Sequence, residues 1–168
     1  MARRLVAGDR AALDEVYRRH RDRVFTGVYR LVADAGTAAD LTHDAFLRAF
    51  ERSAQYRGEA GLGTWISRIA TNLALRHLRR DRWLLRFAAE RVWRAQPAEP
   101  TPAAAIDLDR ALLRLSASLR APLVLVALQG YSHAEAAAAL GISEAACRQR
   151  VHRARGALAA DLRPGEQE

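Results

Sequence analysis

The feature that most constrains the fold is a pair of helical patterns separated by a tight turn, within residues 132–158. Ser132 and Glu135 have the spacing of a capping box, in which each side chain accepts a bond from the other residue's backbone N–H, so a helix is predicted to begin there. Gly141 is predicted to end this helix, because glycine readily adopts the left-handed backbone of helix C-termini. Ser143 is predicted to cap a second helix. The segment therefore has the pattern of a helix-turn-helix.

The second predicted helix combines a narrow apolar stripe with an opposite face suited to DNA. Its apolar side chains recur at helical spacing, at Cys147, Val151, Ala154 and Leu158. The candidate DNA-binding residues lie opposite or beside this stripe: Ala145, Arg148, Gln149, His152, Arg153 and Arg155. Arginine pairs with phosphates or guanine edges and glutamine pairs with adenine. An exposed basic helix on an ordinary bundle is the alternative, but the caps, the turn and the basic helix together favour DNA binding.

Charge and cysteine content narrow the functional class. The 168 residues have a formal net charge of +8, and all 27 basic residues are arginine. Such an excess favours a polyanionic partner, although a compositional bias towards arginine is the alternative explanation. Cys147 is the only cysteine, so an internal disulfide is excluded, and we predict a small buried side chain there. No run approaches about 18 apolar residues, so we expect no membrane insertion and a cytoplasmic location.

Two helices are predicted before the first glycine-rich break. Asp9 is a candidate N-cap for a helix over residues 10–33, which carries a periodic apolar face. Thr37 followed by Asp40 resembles a capping box, and a second helix is predicted over residues 38–54. His43 on this helix lacks the second histidine or cysteine that a metal site would need.

Aromatic and basic residues surround the glycine-rich stretch at residues 55–64. Thr64 is predicted to cap a helix that runs from Trp65 to about Arg80 and is mostly basic on its polar side. Tyr56 in the loop and Trp65 on the helix are typical of single-strand nucleic-acid binding, where bases stack on aromatic rings beside phosphate contacts. Core packing is the alternative for both aromatics, and for Trp65 considered alone it is the favoured one.

Residues 81–106 are predicted to be a linker between two domains. The proline-rich part, QPAEPTPAAA, is expected to be extended or disordered. The apolar content of residues 83–93 predicts a short amphipathic helix that extends the preceding helix, docks on a domain or binds a partner, and these alternatives stay open. Asp107 is predicted to cap a further helix, and Pro122 is expected in the first turn of a restarted helix.

The predicted fold class is therefore all-α, with two small helical domains at residues 1–80 and 107–163, the linker between them, and a tail at residues 164–168. The sequence has no strand alternation and no tandem repeat. It also has no nucleophile–base pair, no phosphate-binding glycine loop and no metal-ligand cluster, so we expect no enzyme activity, no cofactor and no metal.

Three blocks, in this order, resemble bacterial RNA polymerase sigma factors of the extracytoplasmic-function (ECF) group of the sigma-70 family. They are DLTHDAFLRAF at residues 40–50, YRGEAGLGTWISRIATNLALRHLRR at residues 56–80, and GYSHAEAAAALGISEAACRQRVHRARGAL at residues 130–158. The resemblance covers nearly the whole chain. It implies that residues 1–80 form region 2 and residues 107–163 form region 4, two helical domains that hold core RNA polymerase at a promoter.

The resemblance also implies roles for particular residues. The surface for core polymerase, through its β′ subunit and with further contact to β, would comprise Asp40, His43, Asp44, Leu47 and Arg48. Capture of the unwound −10 element would involve Tyr56, Leu62, Trp65, Asn72, Arg76, Arg79 and Arg80. The duplex −35 element would be read by Ala145, Arg148, Gln149, His152, Arg153 and Arg155.

Within the matching blocks, this chain departs from the family pattern at two places. His43-Asp44 stands where the family usually has Gln-Glu, and Leu62-Gly63 stands where it often has an aromatic and a basic residue. The family implies promoter DNA as a partner and an anti-sigma factor as a probable regulator. The alternative function is a helix-turn-helix regulator whose N-terminal half is a dimerisation or sensing domain.

Overall fold

A computed structural model describes the backbone of residues 9–85 and 103–161, and the side chains of residues 9–80 and 108–161. Within these ranges every regular element is helical, which confirms the predicted all-α class. The chain divides into two compact units, residues 1–92 and residues 93–168. None of the described helices combines the length and the apolar character that a membrane span needs.

Residues 9–85 of the first unit form a bundle of three helices. Helix α1 is Arg10–Val32, α2 is Ala35–Glu51, a short 3-10 turn follows at Ser53–Gln55, and α3 is Leu62–Leu85. Each of the three helices packs against the other two. Their apolar stripes meet in one core whose largest fully buried side chains are Phe46, Leu31, Ile66, Val16, Val28 and Val32.

The start of α1 agrees with the prediction. The Asp9 side chain accepts hydrogen bonds from the backbone N–H groups of Ala11 and Ala12, at 3.0 and 3.3 Å. At the other end, Ala33 takes a left-handed backbone with φ 60°, and its N–H donates to the carbonyl of Tyr29. A residue with a Cβ rarely adopts this conformation, so the connection to α2 is sharply defined.

The predicted start of α2 was wrong by three residues. Asp34, not Thr37, is the N-cap: its backbone is extended, and its carboxylate accepts the Thr37 N–H at 2.7 Å. This bond lowers the pKa of Asp34. Aspartate is at least as good a cap as threonine, and here it lies directly after the left-handed Ala33, so the helix restarts at once. The helix also ends earlier than predicted, at Glu51.

The predicted bounds of α3 were wrong as well. Thr64 and Trp65 already donate their N–H groups to the carbonyl of Gly61, so the helix begins at Leu62 and Thr64 lies inside its first turn. At the other end, α3 continues five residues past Arg80, to Leu85. The remainder of the amphipathic helix predicted over residues 83–93, beyond Leu85, lies outside the described residues.

Residues 103–161 of the second unit form four helices and one π-helical turn. Helix α4 is Ala103–Arg114, α5 is Ala117–Leu123, the π turn is Val124–Leu128, α6 is His133–Leu140 and α7 is Glu144–Asp161. Helix α7 packs against α5 and α6, with a smaller contact to α4. The core of this unit contains Leu112, Val124, Leu125, Cys147, Val151 and Ala154.

Two predicted boundaries in this unit were wrong. Asp107 lies within α4 and does not cap it. Pro122 lies near the end of α5, because the chain restarts earlier, at Ser116, whose carbonyl accepts the N–H groups of Leu119 and Arg120. The buried Arg120 guanidinium then donates to the carbonyls of Leu115 and Leu113, at 3.1 and 3.4 Å. These bonds satisfy carbonyl groups at the end of α4 and join α4 to α5.

Candidate nucleic-acid and polymerase interfaces

The helix-turn-helix at residues 132–158 has the predicted geometry. Both bonds of the capping box are present: Ser132 N–H donates to the Glu135 carboxylate at 2.8 Å, and Glu135 N–H donates to the Ser132 hydroxyl at 3.1 Å. Gly141 ends α6 with φ 67°. The Ser143 hydroxyl then accepts the N–H of Ala146 at 3.2 Å, which caps α7. These local bonds fix the turn that positions α7.

Helix α7 buries one narrow stripe and exposes the opposite face. Cys147, Val151 and Ala154 are buried, and Leu158 is half-buried. Every candidate of the predicted DNA-binding set is exposed: Ala145, Arg148, Gln149, His152, Arg153 and Arg155. The burial of Cys147 raises the pKa of its thiol, as expected for a packing residue and not for a reactive cysteine.

The electrostatics of α7 differ between its two ends. At the N-terminal end, Arg148 forms an ion pair with Glu144, one helical turn earlier. At the C-terminal end, Asp161 pairs with Arg114 of α4 at 2.7 Å, which ties the end of α7 to the neighbouring helix. Between them lie Arg153 and Arg155, exposed and with no ion pair to any residue that the structure describes. This central part of the helix is the most available to an anionic ligand.

The candidate polymerase surface lies on the outer side of α2. Asp40, His43, Asp44 and Leu47 are exposed, and Arg48 is half-buried. The opposite side of the helix carries the buried residues Ala38, Thr42, Ala45, Phe46 and Ala49. Leu47 is 47% exposed, and it and Leu128 are the two large hydrophobic side chains that are exposed in the described part of the chain. The Leu47 side chain therefore adds apolar surface to a side of α2 that is otherwise charged or polar.

Tyr56 of the glycine-rich loop contacts Trp65 in the first turns of α3. The rings of Tyr56 and Trp65 lie with their centroids 5.4 Å apart at an interplanar angle of 51°. The Tyr56 hydroxyl donates to the carbonyl of Ala60 at 2.6 Å, which closes the loop on itself. Both aromatics are half-buried, so each ring packs partly against the domain and keeps a part exposed.

Beside these rings is a small, shallow apolar pocket that opens to the surface. The side chains that line it are Val16, Ala49, Phe50, Ser53, Tyr56, Leu62, Trp65 and Ile66. Leu62, predicted as a −10 contact, is half-buried and belongs to this lining.

A polar face of α3 continues from the loop. Asn72, Arg76, Arg79 and Arg80 are all exposed and recur at helical spacing. Arg68 is also exposed and lies one turn before Asn72 on the same face, although it was not among the predicted site residues. The four-residue spacing between Arg68, Asn72 and Arg76 was the signal that would have identified it. The face thus extends from Trp65 to Arg80.

The Leu62-Gly63 departure from the family pattern coincides with a close approach between α1 and α3. Gly63 is buried, and a Cβ atom there would lie 2.6 Å from Nδ1 of His20 on α1. The absence of a side chain therefore makes room for the imidazole ring. Partial burial, followed by the charges of Arg19 and Arg23, lowers the pKa of His20.

Models of known protein families match the sequence of both units. The model for Sigma-70 region 2 matches residues 16–84, and the model for Sigma-70 region 4 matches residues 105–158. The region 2 match runs through the N-terminal bundle, which is at odds with the alternative of a dimerisation or sensing domain in this half. The two matches have the predicted order.

Individual relatives belong to the same group. ECF RNA polymerase sigma factor SigM of Mycobacterium tuberculosis is 35% identical over 154 residues, which cover 92% of this chain and 79% of SigM. ECF RNA polymerase sigma factor SigE of Mycolicibacterium smegmatis is 37% identical over 162 residues, which cover 90% of this chain but only 63% of SigE.

Solved structures agree with the fold. The sigma factor RpoE from Bartonella quintana, solved in complex with the anti-sigma factor NepR, aligns with a TM-score of 0.65 at 21% identity, over 91% of this chain and 98% of RpoE. CnrH, solved in complex with the cytosolic domain of CnrY, aligns with a TM-score of 0.55 at 26% identity, over 95% of this chain and 92% of CnrH.

Family matches to both regions, in order, and a relative similar over nine-tenths of the chain lead to one conclusion. The chain belongs to the ECF group of RNA polymerase sigma factors, which are transcription initiation factors and not enzymes.

Proposed function

We propose that this sigma factor directs core RNA polymerase to promoters through three separate surfaces, named here the clamp surface, the melting surface and the recognition face. The clamp surface comprises Asp40, His43, Asp44, Leu47 and Arg48. The melting surface comprises Tyr56, Leu62, Trp65, Arg68, Asn72, Arg76, Arg79 and Arg80. The recognition face comprises Ala145, Arg148, Gln149, His152, Arg153 and Arg155.

The clamp surface binds the β′ subunit of core polymerase, with β as a further contact of the bound chain. Its support is the exposed Leu47, which has a large apolar side chain between charged neighbours on α2. Burial of Leu47 against a partner removes apolar area from water, and the surrounding charges fix the orientation of the partner. The acid at Asp44, one carbon shorter than the family's usual glutamate, keeps the charge of that position.

The melting surface captures a single strand of the −10 element once the duplex is unwound. The exposed arginines of α3 contact phosphates, and the partly exposed Tyr56 and Trp65 rings provide stacking surfaces for unpaired bases. Binding of the single strand favours the open state, because the surface has affinity for unpaired bases and not for the duplex. The chemistry of RNA synthesis belongs to the polymerase.

The recognition face reads the −35 element in the major groove. Its support is the exposure of every polar member of the face on a helix held by a capped helix-turn-helix. Two weak DNA contacts and one protein contact on a single chain raise each other's effective concentration. Arginine–phosphate contacts should make promoter affinity fall as salt rises.

The sigma factor is proposed to act in the cytoplasm, where polymerase and promoters are, and to be restrained by an anti-sigma factor. The structural relative from Bartonella quintana is bound to such a factor, which supports the same form of control here. The functional domains are proposed as residues 1–80 and 107–163, with a linker at residues 81–106 and a tail at residues 164–168.

The observation that carries the proposal is the presence, in one chain, of an exposed leucine within a charged surface of region 2 and an arginine-rich exposed helix of region 4. In vitro transcription with purified core polymerase and a promoter library tests it. The expected result is RNA synthesis from a defined subset of promoters only when the chain is added. Failure to start at any defined site, with no inhibitor present, would overturn the proposal.

A further inference from the structure

The geometry points to Glu144 as a positioning residue that aims the guanidinium of Arg148 at a guanine in the −35 duplex. This inference deepens the proposed function and rests on it. Glu144 is the first residue of α7 and lies one turn before Arg148. It was not among the predicted contacts with DNA.

The bonds between the two side chains are specific. A single carboxylate oxygen of Glu144, Oε1, accepts hydrogen bonds from both Nε and Nη2 of Arg148, the first at 3.1 Å. The carboxylate therefore holds the side edge of the guanidinium. A glutamate placed four residues before a basic residue on a helix has the favourable orientation for this pair.

The edge that remains is the one that guanine recognition needs. Arginine has five N–H donors, and the pair with Glu144 uses Nε–H and one N–H of Nη2. Both N–H groups of Nη1 and the second N–H of Nη2 stay available, and they form the end of the planar fork. Two parallel bonds from arginine to O6 and N7 of guanine in the major groove are the commonest specific contact of this kind.

The other arginines of the recognition face are in a different situation. Arg153 and Arg155 make no hydrogen bond or ion pair with the residues that the structure describes, so their long side chains keep their rotamer freedom. Such side chains suit phosphates, which accept bonds from many directions and carry no sequence information. Within the part of the chain that the structure describes, Arg148 is the arginine of this face that a neighbouring side chain holds in a defined orientation.

An exposed ion pair of this type contributes little to folding, since water screens it and ordering two side chains costs entropy. The Arg148 and Glu144 side chains are 65% and 44% exposed. The negative charge of Glu144 would also repel DNA phosphates. Glu144 is therefore expected to increase discrimination between bases and to lower the affinity for DNA of arbitrary sequence.

The test uses the full chain with core polymerase on promoters whose −35 element is randomised, and it measures the preference at each base pair. Arg148→Lys should reduce the preference for guanine at one base pair by about 5- to 150-fold, the range of one bidentate contact, because lysine has no planar fork. Glu144→Gln should reduce the preference at that same base pair by a smaller factor and increase binding to random duplex DNA. The double variant should lose no more preference than Arg148→Lys alone.

Two matched controls separate positioning from charge. Asp161→Asn removes the same charge from the same helix but far from Arg148, and it should leave every base preference unchanged. Arg21→Lys makes the same exchange at an exposed arginine of α1, outside the three surfaces, and should change no base preference.

If wild-type protein initiates at specific promoters but Glu144→Gln keeps the full preference at the base pair that responds to Arg148→Lys, the positioning role is wrong while the proposed function stands. A change at no base pair with Arg148→Lys would equally overturn the inference. Absence of specific initiation by the wild-type protein would overturn both.

Discussion

Tyr56 packs against Trp65 with ring centroids 5.4 Å apart, while its hydroxyl donates a 2.6 Å hydrogen bond to the carbonyl of Ala60. The hydroxyl fixes the loop, and the rings join the loop to the start of α3. The half-buried aromatic pair therefore has two roles at once. It packs over the apolar pocket of region 2, and it offers ring surface to unpaired bases.

Trp65→Leu should separate these roles, because leucine fills apolar space but has no aromatic face. Loss of one stacked base corresponds to about 1–3 kcal/mol, so we expect the yield of open complex to fall severalfold or more. Permanganate reactivity of unpaired thymines in the −10 element measures the yield of open complex. Tyr56→Phe is the control: it keeps both rings, loses about 1 kcal/mol of hydrogen bonding and should still open promoters. Equal opening by Trp65→Leu and wild type would remove Trp65 from the melting surface.

Asp44→Arg should weaken association with core polymerase by at least about tenfold, because it reverses a charge on the clamp surface beside the exposed Leu47. Competition against a labelled sigma factor for core enzyme measures the affinity. Asp22→Arg makes the same charge change at an exposed position of α1 and should leave the affinity close to that of wild type. Unchanged binding by Asp44→Arg, with helical content preserved, would remove this surface from the polymerase interface.

Gln149→Ala should weaken −35 selectivity and Arg153→Ala should weaken binding to the −35 duplex, and neither should abolish the binding of core polymerase. Arg153→Ala should also reduce the slope of promoter affinity against salt by about one counterion, if the side chain contacts a phosphate. Promoter selection by holoenzyme across a −35 library, at several salt concentrations, measures both effects. Arg21→Ala loses the same charge from exposed α1 and is the control. Wild-type promoter choice by Gln149→Ala, together with wild-type salt dependence of Arg153→Ala, would show that the face is wrongly assigned.

Features that depend on neighbouring residues could be predicted from the sequence. The capping box of Ser132 and Glu135, the left-handed Gly141 and the buried stripe through Cys147 all follow from spacings of a few residues, and the structure has each of them. Periodicity also identified the exposed members of α7, because a helix with one buried stripe must expose the opposite side.

Helix boundaries at which two residues could each serve as the N-cap could not be predicted in the same way. Asp34 and Thr37 are both capable N-caps three residues apart, and the choice depends on where Ala33 ends the previous helix. Similarly, Ser116 and Pro122 can both begin a helix, and Ser116 is used. Local propensity does not rank such alternatives, since packing of the flanking helices decides between them.

Contacts between elements that are distant in the chain also could not be predicted from the sequence. The spacing of Tyr56 and Trp65 predicted aromatic surface but not that the two rings contact each other. Nothing in the pattern indicated that His20 of α1 lies over Gly63 of α3, because that contact exists only once the three helices have packed. The pairing of Glu144 with Arg148 was permitted by its spacing, but the edge of the guanidinium that is used depends on rotamers.

Protonation of His20 should destabilise region 2. Its pKa is lowered in the folded protein by partial burial, then by Arg19 and Arg23, so the unfolded chain binds the proton more readily. The stabilising contribution of neutral His20 is therefore present above the unfolded pKa of about 6.5 and is lost as pH falls below it towards the folded pKa. Hydrogen exchange of α1 and α3 amides in the full chain, corrected for intrinsic rates, should show lower protection at pH 5.5 than at pH 7.5. His20→Gln should show a smaller decrease, and an equal decrease in both proteins would contradict this role.

Gly63→Ala should destabilise region 2, because the new Cβ would lie 2.6 Å from Nδ1 and 2.8 Å from Cε1 of His20. Relief of this overlap requires the ring or the helices to move, which typically costs about 1–3 kcal/mol. The double variant His20→Ala with Gly63→Ala should recover part of that loss, with a coupling free energy of about 0.5–3 kcal/mol. Gly36→Ala is the matched control, because the new Cβ would lie 3.6 Å from Oδ1 of Asp34, an ordinary contact. This variant should be as stable as wild type or more stable by a few tenths of a kcal/mol, since alanine favours a helix over glycine by about 0.5–1 kcal/mol. Thermal unfolding of Gly63→Ala, His20→Ala, their double variant and Gly36→Ala gives these values. Additive effects of the two substitutions would mean that the imidazole moves freely away from position 63, and that the close approach of α1 to α3 does not depend on glycine.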